Sequence, residues 1–323
     1  MNEKLKIIDL HCDTILGCYH AKKLLRDYPG HISAEKLRKG GCLAQCFALF
    51  IPTHDTGVKY FGEERDAWEV YQDLLQCYRD NLDACSDLIR PALSSDDIRK
   101  NREAGYISSI LTVEDGAEIA GRMERLKEVF RDGVRMLTLT WNYENCFGFP
   151  NSPDHDLHTK NGLKPFGFDA VEKMNELGII IDVSHLSEAG FYDVAEHSRK
   201  PFAASHSCCR AIADHPRNLT DDQLRTIGDT GSIVGINFYD LFLGAKPGYT
   251  AIEDIIRHMI HAKNRAGIES VTLGSDFDGI ESILEFGDYS GFPQLLAAME
   301  KTFTEDEIDR ICEKNFLRVF SAS

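Results

Sequence analysis

A histidine and an aspartate lie two residues apart near the start of the chain, in the stretch IDLHCDT (8–14). The apolar residues Ile7 and Ile8 lead into it, which predicts a β-strand that ends there. Because side chains alternate between the faces of a strand, His11 and Asp13 point the same way and Cys12 points the other way. A histidine beside a carboxylate suits a divalent metal ion. The pair is therefore a candidate metal site.

The elements that must position this pair alternate regularly along the chain. Short β-rich runs are separated by stretches with helical periodicity, such as 62–83, 169–177, 221–227 and 251–266, and a capping box at Thr304 opens a last helix. The runs span 6–11, 43–50, 107–113, 134–140, 178–183, 201–205, 232–237 and 271–275. Such alternation predicts a parallel sheet, and eight units predict an α/β fold of the (β/α)8 TIM-barrel type in one domain, 1–323. A doubly wound open sheet is the alternative, but no Gly-x-Gly-x-x-Gly turn follows the first strand.

In a barrel, the carboxyl ends of all strands open on one face, where active sites are built. Polar and aromatic residues follow the predicted strands at those ends, namely His11, Asp13, Glu114, Trp141, His185, His206, Tyr239 and Asp276. Buried ionisable groups are costly unless they are paired or bound to metal, so their convergence indicates a metal site. Histidine and carboxylate ligands suit zinc, with manganese, cobalt or iron as alternatives. There are more candidate ligands than one zinc ion needs, which favours two ions that share a carboxylate. A pair of metal ions of this kind predicts hydrolysis of an amide, ester or phosphoester.

The composition argues against several classes of partner and location. The chain carries a net charge of −16 and no basic tract, so nucleic acid is not an expected partner. An acidic surface disfavours an anionic membrane, and the apolar runs are too short to span one. The N-terminus has no apolar signal core, and the ten cysteines contain no Cys-x-x-Cys pair and are expected to be reduced thiols. We therefore expect a cytoplasmic protein.

A series of short motifs runs nearly from end to end of the chain. They are DLHCDT (9–14), VEDG (113–116), LTLTWN (137–142), GLKPFG (162–167), IDVSHLS (181–187), SHS (205–207), RNLTDDQL (217–224), NFY (237–239), GSDFDG (274–279) and NFLRVF (315–320). In this order they are very specific, and the chain resembles the membrane (renal) dipeptidase family. Members of that family are binuclear zinc peptidases with (β/α)8 barrels, and they commonly form homodimers.

The resemblance implies a set of metal ligands. By this likeness His11 and Asp13 hold one zinc, His185 and His206 hold the second, and Glu114 bridges both. It also implies that Asp276 handles protons during attack and leaving-group departure. Arg217 matches the arginine that grips the C-terminal carboxylate of a dipeptide, which fits the planar pairing of arginine with carboxylates. Tyr239 and Trp141 are then expected to contact the substrate.

One departure from the mammalian members of the family concerns the residue after LTLT; another is Asp115-Gly116, where the family often has Gly-Gly after the bridging glutamate. The mammalian members carry a histidine after LTLT that contacts the scissile carbonyl or its oxyanion, whereas this chain has Trp141. Losing one oxyanion donor costs roughly 10²–10³ in rate when nothing replaces it. The sequence leaves four replacements open, namely Asn142, Asn145, His155 and His158.

The leading hypothesis is a metal-dependent dipeptidase that cleaves free dipeptides, including those with a C-terminal D-residue, by attack of a metal-bridging hydroxide. The first alternative is a related binuclear amidohydrolase, such as a deaminase or lactonase. Those usually begin with His-x-His and often use a carbamylated lysine, whereas this chain has His-x-Asp and Glu114. The second alternative is a non-catalytic metal-binding homologue, which Trp141 favours and the complete ligand set opposes. A dipeptide and a second copy of the chain are the expected partners.

Overall fold

Eight parallel strands close into a barrel in the computed structural model, which describes residues 6–323. The strands in chain order are β1 (Ile7–Asp9), β2 (Cys42–Phe50), β3 (Ile89–Pro91), β4 (Ile107–Glu114), β5 (Val134–Thr138), β6 (Ile180–Asp182), β7 (Ala203–Ser207), β8 (Ile233–Ile236), β9 (Tyr249–Thr250), β10 (Val271–Leu273) and β11 (Ile283–Leu284). The ring runs β1, β2, β4, β5, β6, β7, β8, β10 and closes through the pairing of β10 with β1. The predicted (β/α)8 TIM barrel is confirmed. The first five residues of the predicted domain lie outside the described part of the chain.

Helices connect the strands and surround the barrel. They are α1 (Thr14–Ala21), α2 (Ala34–Gly40), α3 (His54–Phe61), α4 (Ala67–Ala84), α5 (Ser95–Ala104), α6 (Met123–Asp132), α7 (His155–Lys160), α8 (Pro165–Leu177), α9 (Glu188–His197), α10 (Asp221–Asp229), α11 (Asp240–Leu243), α12 (Ile252–Ala266), α13 (Phe292–Met299), α14 (Glu305–Asp309) and α15 (Asn315–Ala322). A π-helical turn, Arg310–Lys314, joins the last two. Within residues 6–323, none of these helices combines the length and the apolar character that a membrane crossing requires.

Local sequence explains where the longer helices begin. The prediction that a helix starts at residue 62 was wrong, because Asp66 caps α4 by accepting hydrogen bonds from the backbone N–H groups of Trp68 and Glu69. The predicted capping box at Thr304 is confirmed, since its side chain accepts from the N–H of Glu307.

Two buried clusters hold the barrel together. The larger lies between the strands and the outer helices. The smaller takes side chains from most of the barrel strands, such as Ile8 and Ile110, and it is completed by Phe316, Val319 and Phe320 of α15. At roughly 25 cal/mol per Å² of apolar surface, this burial is the main stabilising contribution to the fold.

Strand ends near the site differ from the prediction by at most two residues. The predicted strand 178–183 contracts to β6 because its last residue, Asp182, turns its carboxylate back to accept the N–H of Ser184 at 3.0 Å. The predicted strand 201–205 instead continues to Ser207 and includes His206. Side-chain contacts at the carboxyl ends of the strands therefore override the simple apolar pattern.

Candidate metal and active site

The carboxyl ends of five barrel strands bring the predicted metal ligands and catalytic residues together, and two further strands add predicted substrate-binding residues. Their contributions are His11 and Asp13 after β1, Glu114 at the end of β4, His185 after β6, His206 in β7 and Asp276 after β10, with Trp141 following β5 and Tyr239 following β8. The hydrogen bonds between loops fix this convergence. The N–H of Asp13 donates to the carbonyl of Phe277 at 2.9 Å, and the N–H of Asp276 donates to the carbonyl of His11 at 3.2 Å.

Glu114 lies at the centre of the cluster and is 3% exposed. Its Oε1 is 3.0 Å from Nε2 of His185 and 3.3 Å from Nε2 of His206. Its Oε2 is 3.5 Å from Nε2 of His11. The two oxygens of one carboxylate therefore face different histidines, with His185 and His206 at Oε1 and His11 at Oε2.

Two further carboxylates lie near His11. Nε2 of His11 lies 3.6 Å from Oδ2 of Asp13 and 3.9 Å from Oδ1 of Asp276. These distances are too long for hydrogen bonds, and Nε2 of His11 has no hydrogen-bond partner among the described residues although it is buried. Asn237 orients Asp276 by donating from Nδ2 to its Oδ2 over 2.8 Å.

Hydrogen bonds behind the histidines set which ring nitrogen faces the cluster. Nδ1 of His206 lies 2.8 Å from Oγ of Ser205, whose hydroxyl donates to Oδ2 of Asp182 at 2.5 Å. Nδ1 of His185 lies 3.0 Å from Oδ1 of Asn142. In both rings Nδ1 carries the hydrogen, so Nε2 presents its lone pair to the cluster.

Two of the site residues adopt the left-handed backbone conformation. The φ angle is +65° at His185 and +61° at Asp276, a region that residues other than glycine seldom occupy. Such conformations are retained where the surrounding structure fixes them, and they concentrate at functional sites.

The electrostatics of the cluster call for a cation. Burial raises the pKa of Glu114 to about 8, and the charge of Asp13 adds to this effect. Burial likewise raises the pKa of Asp276 to about 7. Burial lowers the pKa of His11, but the charges of Glu114 and Asp13 outweigh it and raise that pKa well above its usual range. A bound cation would compensate the three crowded carboxylates, which are costly to bury alone.

The other two histidines suit metal coordination. Burial, together with the charges of Arg217 and His11, holds the pKa of His185 and of His206 well below the usual range. Their Nε2 atoms face each other at 3.1 Å, an arrangement of two lone pairs that an ion placed between them and Glu114 would stabilise. With its unpartnered His11 nitrogen and its oxygen and nitrogen donors, the cluster fits divalent metal ions.

A cavity of about 1040 Å³ opens above the cluster. Asp13, Glu114, His185 and Asp276 line it, together with a wall of aromatic rings in which Phe50 lies 5.0 Å from Trp141 between ring centroids. Tyr239 and Phe242, which follow β8, line it from across the barrel.

Arg217 is buried behind this lining. One of its Nη atoms donates to the carbonyl of His206 at 3.1 Å and the other to Oγ of Ser207 at 3.4 Å. Its Nε has no partner among the described residues, and the guanidinium carbon lies 5.2 Å from the ring centroid of Phe242. The buried guanidinium of Arg217 thus lies next to Phe242, which lines the cavity.

The four candidate replacements for the oxyanion-contacting histidine have different surroundings in the structure. Asn142 lines the cavity. Asn145 instead donates from Nδ2 to Oδ1 of Asp115 and to the carbonyl of Leu139, both at 2.8 Å. Nε2 of His158 lies 3.0 Å from Nη2 of Arg210, and His155 is an exposed first residue of α7.

Sequence reasoning missed several residues of the site. Phe50 carried a usable signal, because it ends a predicted strand. Asn237 lies in the NFY motif at a strand end, so its proximity to Asp276 could also have been predicted. Tyr28 comes from the loop after α1 and carried no such signal.

Comparison with known proteins agrees with this geometry. The sequence profile of the membrane dipeptidase family (peptidase family M19) matches residues 1–323. The chain belongs to the membrane dipeptidase family. An uncharacterized dipeptidase of Schizosaccharomyces pombe is 31% identical over 298 residues, which are 90% of this chain and 71% of that protein.

Two solved structures of metallopeptidases extend the family likeness to the fold. One is a metallopeptidase from Rhodobacter sphaeroides with a bound phosphinate mimic of the dipeptide L-Ala-D-Ala, at a TM-score of 0.90, 26% identity and 99% coverage of both chains. The other is a dipeptidase of family M19, at a TM-score of 0.89, 28% identity and 99% coverage of both chains. As a member of the membrane dipeptidase family, the chain is a hydrolase that acts on dipeptides, which the sequence hypothesis anticipated over a deaminase or lactonase.

Proposed function

We propose that this dipeptidase depends on two divalent metal ions, most simply zinc. The observation that carries the proposal is the split of the Glu114 carboxylate, with Oε1 3.0 Å from His185 and Oε2 3.5 Å from His11. His11 and Asp13 would hold one ion, His185 and His206 the other, and Glu114 both. When bound, two such ions would supply a nucleophilic hydroxide at neutral pH and would polarise a carbonyl group.

Asp276 is proposed to transfer the proton. It lines the cavity beside the cluster, and its Oδ2 is held by Asn237 while Oδ1 faces His11. A carboxylate held beside the reacting groups can accept a proton and return it. Its role would be to take the proton during attack and to give it to the departing amine.

The two ends of the substrate are proposed to contact opposite walls of the cavity. Arg217 would pair with the C-terminal carboxylate on the side of Tyr239, since its Nε is unpartnered and charge-assisted pairs with carboxylates are strong. The N-terminal residue would then lie toward Trp141 across the barrel. The phosphinate mimic of L-Ala-D-Ala in the Rhodobacter sphaeroides relative supports our proposal that a C-terminal D-residue is accepted.

The cellular context is proposed from the thiols and from the family. All ten cysteines lie within the described residues and each is a free thiol, which supports a reducing, cytoplasmic location. A single domain over residues 1–323 and a homodimer also stay predictions, which limited proteolysis and light scattering would test. Metal and a dipeptide are the ligands that this proposal requires.

The test is hydrolysis of a dipeptide panel by zinc-loaded protein, detected through the released amines. The panel contains L,L and L,D dipeptides, their N-acetylated forms and matching tripeptides, each with and without a chelator. Chelator-sensitive cleavage that spares the N-acetylated and tripeptide compounds is the expected result. Cleavage that persists after complete metal removal would overturn the metal dependence.

A further inference from the structure

The side chain of Asn142 is oriented by its contact with a candidate metal ligand. Its Oδ1 lies 3.0 Å from Nδ1 of His185. Nε2 of the same ring faces Oε1 of Glu114 at 3.0 Å and Nε2 of His206 at 3.1 Å. An amide oxygen can only accept a hydrogen bond, so Nδ1 of His185 carries the hydrogen in this contact. The oxygen of the Asn142 amide is thus committed to His185, and its amino group points the other way.

That amino group is an unused donor at the wall of the cavity. Asn142 is exposed, lines the cavity, and its Nδ2 makes no hydrogen bond to any residue between 6 and 323. A carbonyl group bound over Glu114 and His185 would lie beside it. Fixed N–H donors next to a reacting carbonyl stabilise the negative charge that develops on its oxygen.

We propose that Asn142 is a catalytic residue, whose Nδ2 donates a hydrogen bond to the scissile carbonyl oxygen as that oxygen becomes negative. The proposal rests on the proposed function. The same side chain positions His185 through its Oδ1, so the two halves of one amide have separate tasks. The amide groups of Asn145 are already committed to Asp115, Leu139 and the N–H of Phe147.

The experiment separates the two tasks with matched variants. Asn142→Asp keeps an oxygen for His185 and removes the donor, whereas Asn142→Ala removes both. We expect Asn142→Asp to retain the wild-type zinc content, while kcat for a good dipeptide falls by roughly 10²–10³ and KM changes little. Asn142→Ala, measured at saturating zinc, should show the same loss of kcat without an added charge. His155→Ala, an exposed side chain on α7, is the control and should match wild type.

A second readout uses a phosphinate mimic of the dipeptide, measured by calorimetry with zinc-loaded protein. A tetrahedral phosphinate resembles the transition state, so its affinity should fall in both variants by about the factor lost in kcat. Wild-type kcat and phosphinate affinity in Asn142→Asp would overturn the proposal and leave Asn142 only the positioning of His185. If wild-type protein neither cleaves any dipeptide nor binds the phosphinate, the proposed function itself fails, and the role of Asn142 fails with it.

Discussion

The hydroxyl of Ser205 lies 2.8 Å from Nδ1 of His206 and connects that ring to the buried carboxylate of Asp182. Because the hydroxyl donates to Asp182, its oxygen accepts the Nδ1 hydrogen of His206. The contact thus fixes both the tautomer and the rotation of the ring. Thr138 also donates to Asp182 at 2.5 Å, so the carboxylate that directs this arrangement is itself held in place.

Replacing Ser205 should weaken the adjacent ion without removing a ligand. We expect Ser205→Ala to lower zinc affinity roughly 10–100-fold, the usual cost of losing a hydrogen bond behind a ligating histidine. The measurement is a competition titration with a chromophoric chelator. Ser232→Ala is the matched control. Ser232, which directly precedes β8, is also buried, but its hydroxyl accepts the N–H of Phe202 and contacts no candidate metal ligand among the described residues. Equal zinc affinities in wild type and Ser205→Ala would contradict this role.

Gly279 leaves room for two of the site carboxylates. A methyl group added there would overlap Oδ2 of Asp13 and Oδ1 of Asp276. We therefore expect Gly279→Ala to lose at least about 10² in kcat/KM, since misplaced catalytic groups cost about that much. Circular dichroism should show an intact fold. Gly248→Ala should lose some stability and keep its activity, because φ there is +78° but, apart from its chain neighbours, no atom of residues 6–323 lies within 4 Å of the new methyl. Normal activity in Gly279→Ala would show that the carboxylates tolerate displacement.

Arg217 should discriminate a free C-terminus from an amidated one. Hydrogen bonds to charged groups contribute about 1.5–3 kcal/mol, so Arg217→Met should lower kcat/KM for a dipeptide roughly 10–100-fold. The same substitution should have little effect on the corresponding dipeptide amide, which has no carboxylate to pair. The comparison needs initial rates for both substrates with both proteins. Equal losses for the acid and the amide would assign Arg217 a purely structural role.

His258 should make the fold sensitive to acid. It is fully buried, its Nδ1 accepts the N–H of Cys209 at 3.0 Å, and its Nε2 donates to the carbonyl of Leu243 at 3.1 Å. Burial lowers its pKa from 6.5 to about 4. Below pH 6.5 this histidine therefore takes up a proton in the unfolded chain but not in the folded protein. The free energy of unfolding consequently decreases as the pH falls toward 4.

The size of this effect follows from about 1.4 kcal/mol for each pH unit, which gives about 3 kcal/mol over that interval. His258→Gln keeps an acceptor and a donor but does not titrate. Urea unfolding at several pH values should show a shallower loss of stability in the variant. Identical pH dependence in the two proteins would mean that other groups govern acid unfolding.

The barrel itself was predictable because its evidence is local. Each strand is a short apolar run, such as 43–50, and the intervening helices carry their own periodicity and caps. Elements that depend on distant partners were not predicted. The strand β3 forms only by pairing with the start of β4, and Ile283 of β11 pairs with Tyr249 of β9.

The ionisable residues of the site could be predicted from the sequence, whereas the side chains that hydrogen-bond to them could not. Residues such as Glu114 and His206 stand out because they end apolar strands, where a charge is unexpected. Nothing in a serine such as Ser205 reveals that it lies between a histidine and a buried aspartate. The choice of Asn142 over Asn145 likewise required three-dimensional contacts, since the two differ only in which neighbours occupy their amides.

The most direct test of the account is a zinc titration of metal-free protein, with bound zinc and dipeptide hydrolysis measured on the same samples. We predict no turnover without metal, and activity that rises until two zinc ions are bound per chain and then stays constant. Glu114→Gln should bind zinc more weakly and stay inactive throughout. Full activity without metal, or no turnover with two zinc ions bound, would contradict the account.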